Sequence, residues 1–370
     1  MPELWLKYGQ TSVVMDIRYE NLQDHLVPSS SENHSVDQKV QDKLYDIDIC
    51  DDTVLVVLSV SYAVLNLVEQ VSERAVLNQW GKIAFASKTD NIHMIRYSLR
   101  KQPFPVYGLT HASQFHLLNK YRNVVFISQV KSDPLFGYGG TPSLLLRQFY
   151  PEEMNEAFYA RLDNLPNPFK KVPSLEIALS TVHNLQATSI EMVGSPHVFS
   201  LHQGNISQAF TNAIRSLNNV SNNVRLEKCQ TALVSPSDDL ESHLTLSASL
   251  NSLWNIMGLV DRGGLVVLLS ESKMGLGGKG LEMKVEDRLN IEHYLNEKLA
   301  YTEGLEHIMF LKELETNYEL GVISTLPRYF MFKLGLLPFG ATKEYYQRVL
   351  SKFGKSQKIL VISGADILNV

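Results

Sequence analysis

Short unbroken apolar runs recur along this chain: TVLVVLSV, KIAFASK, NVVFISQV, TALVSPS, LVVLLS and KILVISG. Between them lie stretches such as AVLNLVEQVSERAVL and NIHMIRYSLRK, whose apolar residues return every three or four positions. A strand that is apolar on both faces must be covered on both faces, which a parallel sheet flanked by helices achieves. The pattern therefore predicts an α/β fold with mainly parallel sheets. The opening LWLKYGQTSVVMDI reads as a hairpin turning at Gly9-Gln10, and the polar 29–38 as a surface loop. From residue 226 the alternation starts again. LTLSASLNSLWNIMGLV sets Leu246, Leu250, Leu253, Met257 and Val260 on one helical face, with Gly263-Gly264 as its stop. VEDRLNIEHYLNEKLAYTEGL reads as one long helix. The Asn- and Ser-rich 216–229 is the expected linker. Two α/β domains follow, 1–222 and 226–370, with an interdomain cleft.

Composition excludes several classes. The 370 residues suffice for about two domains. A net charge of −5 with no basic stripe argues against nucleic acid. The most apolar run, 54–68, carries Ser59, Ser61, Tyr62 and Asn66 and is too short for a membrane span. Cys50 and Cys229 lie far apart without metal-ligand spacing, and the start lacks a leader pattern, so a cytoplasmic protein is expected. His197 and His202, like His111 and His116, are five apart and fall on different faces of a strand or helix. The aromatic stretch LPRYFMFKLGLLPFG, 326–340, reads as core, with a homo-oligomer contact as the alternative.

SKMGLGGKG, 272–280, packs four glycines and two lysines into nine residues directly after an apolar run. A strand–glycine–helix context suits anion binding by backbone N–H groups, and equally a tight turn at a sheet edge. It is no Walker loop, because Lys279 precedes Gly280 and position 273 is Lys. Gly275, Gly277 and Gly280 give G-x-G-x-x-G, but the acidic residue that follows at the right distance, Glu297, falls in a helical stretch. A second glycine cluster, FGYGG at 136–140, also follows a strand. One such loop in each half points to a small-molecule site between them.

In these pieces the chain resembles the nickel-pincer lactate racemases. The resemblance is carried by LWLKYGQTSVVMDI, NKYRNVVFISQVKSDPLFGYGG, LHQGNISQAFTNAIRSL and DRGGLVVLLSESKMGLGGKG, in that order. It implies two α/β domains, an active site between them, and racemisation or epimerisation of a 2-hydroxy acid. It also implies a tethered nickel-pincer cofactor, whose usual residues are replaced here. Ser143 stands where the family has the tethering lysine, and Asp133 where it has a proton-transfer histidine. PEEMNEAFYARL lacks the nickel-ligand histidine, and LSVSYAVL lacks the substrate-gripping arginine of the first domain. Asn251 stands where the second domain has a lysine. Such chemistry needs a hydride acceptor, paired bases and a donor fork for the carboxylate, so losses at all of these matter.

The expectation is thus a lactate-racemase-like protein with altered machinery, or a non-catalytic homologue binding a small anion or a protein partner. Asp133 is the candidate base, or else a turn residue. Gly137, Gly139, Gly140, Arg147, Gly275, Gly277, Gly278 and Lys279 are candidates for holding a small anion such as a carboxylate. No metal ligand is assigned. Arg262, beside Asp261, is expected to cap a helix end.

Overall fold

The computed structural model describes all residues except 1–2, 28–46, 100–101, 111–118, 163–171, 195–197, 222–226, 255 and 369–370. The hairpin forms as read: β1 (Glu3–Tyr8) and β2 (Thr11–Asp16) pair antiparallel, Tyr8 opposite Thr11, with Gly9 at φ +64°. After β3 (Leu22–Leu26) come β4 (Thr53–Val57), α1 (Tyr62–Leu77), β5 (Ile83–Lys88), α2 (Ile92–Ser98) and β6 (Val106–Leu109). Next are β7 (Asn123–Asp133), β8 (Gly137–Gly139), α3 (Thr141–Phe149), α4 (Pro151–Leu162) and α5 (Pro173–Val182). Then β9 (Thr188–Val193), β10 (Ser200–Asn205) and α6 (Ile206–Ser221) close the first half.

The second half runs β11 (Cys229–Ser235), α7 (Leu246–Leu250), β12 (Val260–Leu269), α8 (Lys279–Val285), α9 (Ile291–Asn296) and α10 (Leu305–Glu315). It ends with β13 (Glu319–Ile323), α11 (Arg328–Lys333), β14 (Leu337–Phe339), α12 (Thr342–Phe353) and β15 (Ile359–Ser363).

The first sheet has the order β10-β9-β7-β4-β5-β6, with β8 added on β7. Its strands are parallel except β8 and β10, which pair antiparallel with β7 and β9. Along β4 the fully buried residues alternate between two cores, Val54 and Val56 on one face, Leu55 and Val57 on the other. The apolar run is therefore what a doubly covered strand requires.

The second sheet, β14-β13-β12-β11-β15-β3, is parallel throughout. On one face Leu265, Val267 and Leu269 meet Leu6, Met15 and Ile17 of the hairpin region and Tyr345 and Val349 of α12. Residues 3–26 thus pack with the second sheet, although the division read in the sequence groups them with 1–222. None of the described helices is long and apolar enough to cross a membrane.

Two expected helices are broken. The helix starting at Leu246 lasts five residues and continues as 3-10 turns at Asn251–Leu253 and Met257–Leu259, and β12 begins at Val260. The five apolar side chains still share one core. Gly263-Gly264 is not a helix stop but lies within β12, where a Cβ on Gly264 would fall 2.6 Å from the Gln230 carbonyl. Arg262 accordingly sits exposed on that strand and caps nothing helical.

Residues 285–305 do not form one long helix: α8 ends at Val285, α9 spans only Ile291–Asn296, and α10 begins at Leu305. Asp287 at φ +57°, Lys298 at φ +48° and Gly304 at φ +97° turn the chain out of helical geometry. The Asn290 side chain restarts it by accepting the His293 N–H at 3.1 Å. In 326–340 the expectation of core holds for Met331, Leu334, Leu336 and Phe339, while Tyr329 and Phe332 are exposed. The 29–38 loop, His111, His116 and His197 lie outside the described residues, and the expected linker is helical as far as Ser221.

Candidate functional site

The carboxyl ends of β4, β7, β11 and β15 converge where the two sheets meet. Open α/β sheets bind ligands at that end of their strands. A cavity of about 150 Å³ lies there. From the first sheet it is lined by Ser59, Gln129, Lys131, Ser132, Asp133, Gly139 and Gly140, and from the second by Glu241, Ser242, Asn251 and Asp366. Backbone joins the two sides directly, since Ser132 N–H donates to the Asp366 carbonyl at 3.2 Å.

Lys131 reaches across to the second half, its ammonium 2.5 Å from an Asp239 carboxylate that is fully buried. Burial opposes that charge, but Asp239, Asp366 and Glu241 more than offset it and hold the lysine above its ordinary pKa. Glu241 is half-buried and accepts the Val60 N–H at 3.1 Å. Burial pushes its carboxyl up to about 7, against the pull of Lys131. Asp366 accepts from Ser237 N–H at 2.6 Å and from the Ser237 and Ser242 hydroxyls, each at 2.7 Å. Gln129 is only 3% exposed, and both atoms of its amide lack a partner. The Asn251 carbonyl oxygen lacks one too.

The candidates read from the sequence divide between cavity and scaffold. Asp133 lines the cavity but is already engaged. Its Oδ1 accepts Leu135 and Phe136 N–H at 2.8 and 3.0 Å, and Arg147 donates to both oxygens at 3.2 and 3.3 Å. Arg147 also donates to Tyr301 and Glu306, each at 2.8 Å, and stacks over Phe136. Its guanidinium thus ties the first glycine loop to α10 of the second half. Burial pushes Glu306 up, yet Arg147 holds it below the usual carboxylate value.

Gly139 and Gly140 line the cavity, whereas Gly137 shapes the turn at φ +77°. Gly140 is pressed against Phe210, where a Cβ would come within 2.6 Å. Behind it Glu191 is fully buried, accepts the Ser128 hydroxyl at 2.6 Å and is pushed up in pKa by that burial.

Gly275, Gly277, Gly278 and Lys279 are not among the residues that line the cavity. Their loop lies against the segment that starts α7. Leu246 and Ser247 N–H donate to the Gly275 and Leu276 carbonyls at 3.1 and 3.0 Å. A Cβ on Gly277 would fall 2.3 Å from Thr245, and one on Gly278 would fall 2.9 Å from the Glu303 carbonyl. Gly278 lets backbone pack on backbone, and Gly277 makes room for the Thr245 and Ser247 side chains. Lys279 is exposed.

The residues present do not fit the nickel-pincer group. Ser143, at the tether position, turns back to Gly140, accepting its N–H and donating to its carbonyl at 3.0 Å. Lys131, the lysine that does line the cavity, is held by Asp239. Among the described residues no histidine lines the cavity, and no cluster of histidine, cysteine, aspartate and glutamate is arranged for a metal ion. His243 and His307 are buried elsewhere, and burial lowers the pKa of both. His183 is exposed, and His202 contacts the Ser200 and Ser216 hydroxyls.

Lys131, Glu241, Gln129 and Ser59 were not singled out in the sequence. Lys131 closes a strand as any lysine does. Glu241 lies in a loop whose meaning depends on the other sheet.

No family model matches the sequence, and no curated protein does. Solved structures do match in shape. The lactate racemase apoprotein from Thermoanaerobacterium thermosaccharolyticum superposes with a TM-score of 0.71 at 12% identity, over 100% of this chain and 99% of that one. A protein from Thermotoga maritima gives a TM-score of 0.63 at 11% identity, over 89% of this chain and 97% of that one. The likeness shows a common fold along the whole chain.

Proposed function

We propose that this chain, with its lactate-racemase-like fold, binds a small polar molecule in the cavity between its sheets and does not run nickel-pincer racemisation. The observation that carries this reading is the lining itself. Gln129 is buried with both amide atoms unpaired, beside Glu241, Lys131 and Asn251, and buried polar groups call for partners. Asp133 and Ser143, at the positions of the family's proton-transfer and tethering groups, are engaged in structural bonds, and so is the anion candidate Arg147. The interdomain cleft, the site role of Gly139 and Gly140, and a division of 1–222 from 226–370, with residues 3–26 joining the second unit, belong to this proposal. So does a cytoplasmic setting, argued from Cys50 and Cys229, which form no disulfide. Self-association is assigned to the exposed Tyr329 and Phe332.

The test is to co-express the protein with the cofactor-synthesis machinery, then measure nickel per chain, intact mass and lactate enantiomer exchange. The expected result is the mass of the bare chain, trace nickel and no exchange. Stoichiometric nickel with exchange would overturn the reading. Binding is tested separately with Ala248→Phe, which fills the cavity and should abolish ligand-induced thermal shifts.

A second reading is favoured by the position of Glu241, which lines the cavity without an ion pair among the described residues and whose carboxyl burial pushes up to about 7. A group titrating there suits general acid–base work. Under that reading Glu241 exchanges a carbon-bound proton of the ligand with solvent, and deuterium incorporation into a bound ligand in heavy water would distinguish it from simple binding.

A further inference from the structure

We infer that the cavity selects a small organic cation, a hydroxylated primary amine, over a carboxylate. The inference rests on the reading of the cavity as a ligand site and deepens it. Three carboxylates, Asp133, Glu241 and Asp366, line the cavity against one ammonium, Lys131. Pairing does not restore the balance. Lys131 is neutralised by Asp239 at 2.5 Å. Asp133 shares Arg147 with Glu306, so that guanidinium has no charge left over for the cavity. Asp366 is shielded by Ser237 and Ser242. The carboxyl that remains is Glu241, which accepts a backbone N–H and has no ion pair within 4 Å among the described residues.

Once Glu241 is ionised, an anion entering this space would be desolvated beside surplus negative charge, whereas an ammonium replaces the missing counter-charge. Gln129, 97% buried, independently marks the same space, because its unpaired amide offers two N–H donors and a carbonyl acceptor. A hydroxyl accepts one of those N–H groups, and a hydroxyl or ammonium donates to the carbonyl. The volume holds a molecule the size of about five waters at ~30 Å³ each. The described residues offer no cluster suited to a bare metal ion.

The probes are 2-aminoethanol, glycerol and L-lactate, titrated calorimetrically into the full chain at pH 6 and pH 8. The groups whose charges act on Glu241 are Lys131 on β7, Lys88 on β5 and Asp239 in its own loop, with the Val60 N–H. Ionisation of Glu241 between these pH values should raise 2-aminoethanol affinity about tenfold, while glycerol affinity stays level. Glu241→Gln should abolish that rise, and the exposed Glu292→Gln should keep it, each variant first confirmed folded by circular dichroism.

Lactate binding as tightly as the amine would overturn the inference and leave the ligand-site reading standing. So would glycerol binding with no preference for the amine. Failure of all three probes, with no effect of Ala248→Phe on any thermal shift, would overturn both.

Discussion

Arg147 shows how a side chain that looks like a ligand clamp can serve the scaffold instead. Its guanidinium holds Asp133 and the buried Glu306 together, with Tyr301 alongside. Removing it leaves two carboxylates short of a counter-charge, so Arg147→Met should destabilise the fold by about 3–5 kcal/mol. Adding Glu306→Gln should recover part of that, and chemical denaturation of the single and double variants measures both. Glu241 makes a different prediction. Its folded pKa of about 7 lies above the ordinary carboxylate value, so the folded state prefers the neutral acid. The stability this gives is complete below the unfolded pKa near 4.5 and is lost as pH rises through about 7. Glu241→Gln should flatten that slope, a difference on the order of 2 kcal/mol between pH 4.5 and 8. A pH–stability curve unchanged by the substitution would contradict this environment for Glu241.

At the scale of elements, the two glycine loops respond to different constraints. Gly275 needs only its φ of +93°, with nothing near a would-be Cβ, so Gly275→Ala should cost about 1 kcal/mol. Gly277 has φ +81° and also Thr245 at 2.3 Å, so Gly277→Ala should cost about 1–3 kcal/mol more. Thermal or urea melts of the two variants rank them directly, and equal losses would count against the packing role. The apolar runs of β4, β7, β11, β12 and β15 were legible because burial on both faces is a local property of a strand. The helices after 246 and 285 were misread for a related reason. Their apolar spacing reports which side chains are buried. It is blind to the 3-10 turns that break the first and to Asp287 and Lys298 at positive φ in the second. The cavity was legible only in part. Asp133 and Gly139 follow a strand end and draw notice, whereas the contact of Lys131 with Asp239 joins residues 108 positions apart and leaves no local trace.

The whole molecule is more tightly joined than two independent units would be. Leu135, Phe136, Leu146 and Phe158 of the first half share one core with Leu250, Trp254 and Leu305 of the second. Far-ultraviolet dichroism and tryptophan fluorescence should therefore report one coincident unfolding transition, and two separated transitions would argue for independent units. The opening hairpin belongs to this whole. Deleting residues 1–27 would uncover the second sheet and lose the burial of Leu6, Met15 and Ile17, about 5–9 kcal/mol at 1.5–3 kcal/mol each. The expected outcome is an insoluble or dye-binding chain, and a soluble, cooperatively melting product would contradict it.

The edge strand β3 also sets an order of events during synthesis. Asn21, at its threshold, donates to the carbonyl of Lys355, 334 positions later. At about 5–20 residues per second, β3 waits tens of seconds at the ribosome for the neighbour that completes its sheet. The first sheet, whose strands are all contained between Thr53 and Asn205, has no such wait. A nascent chain of this protein therefore carries a folded first sheet and an unpaired β3 until β15 emerges. That interval is when a holding chaperone on the opening residues would matter most.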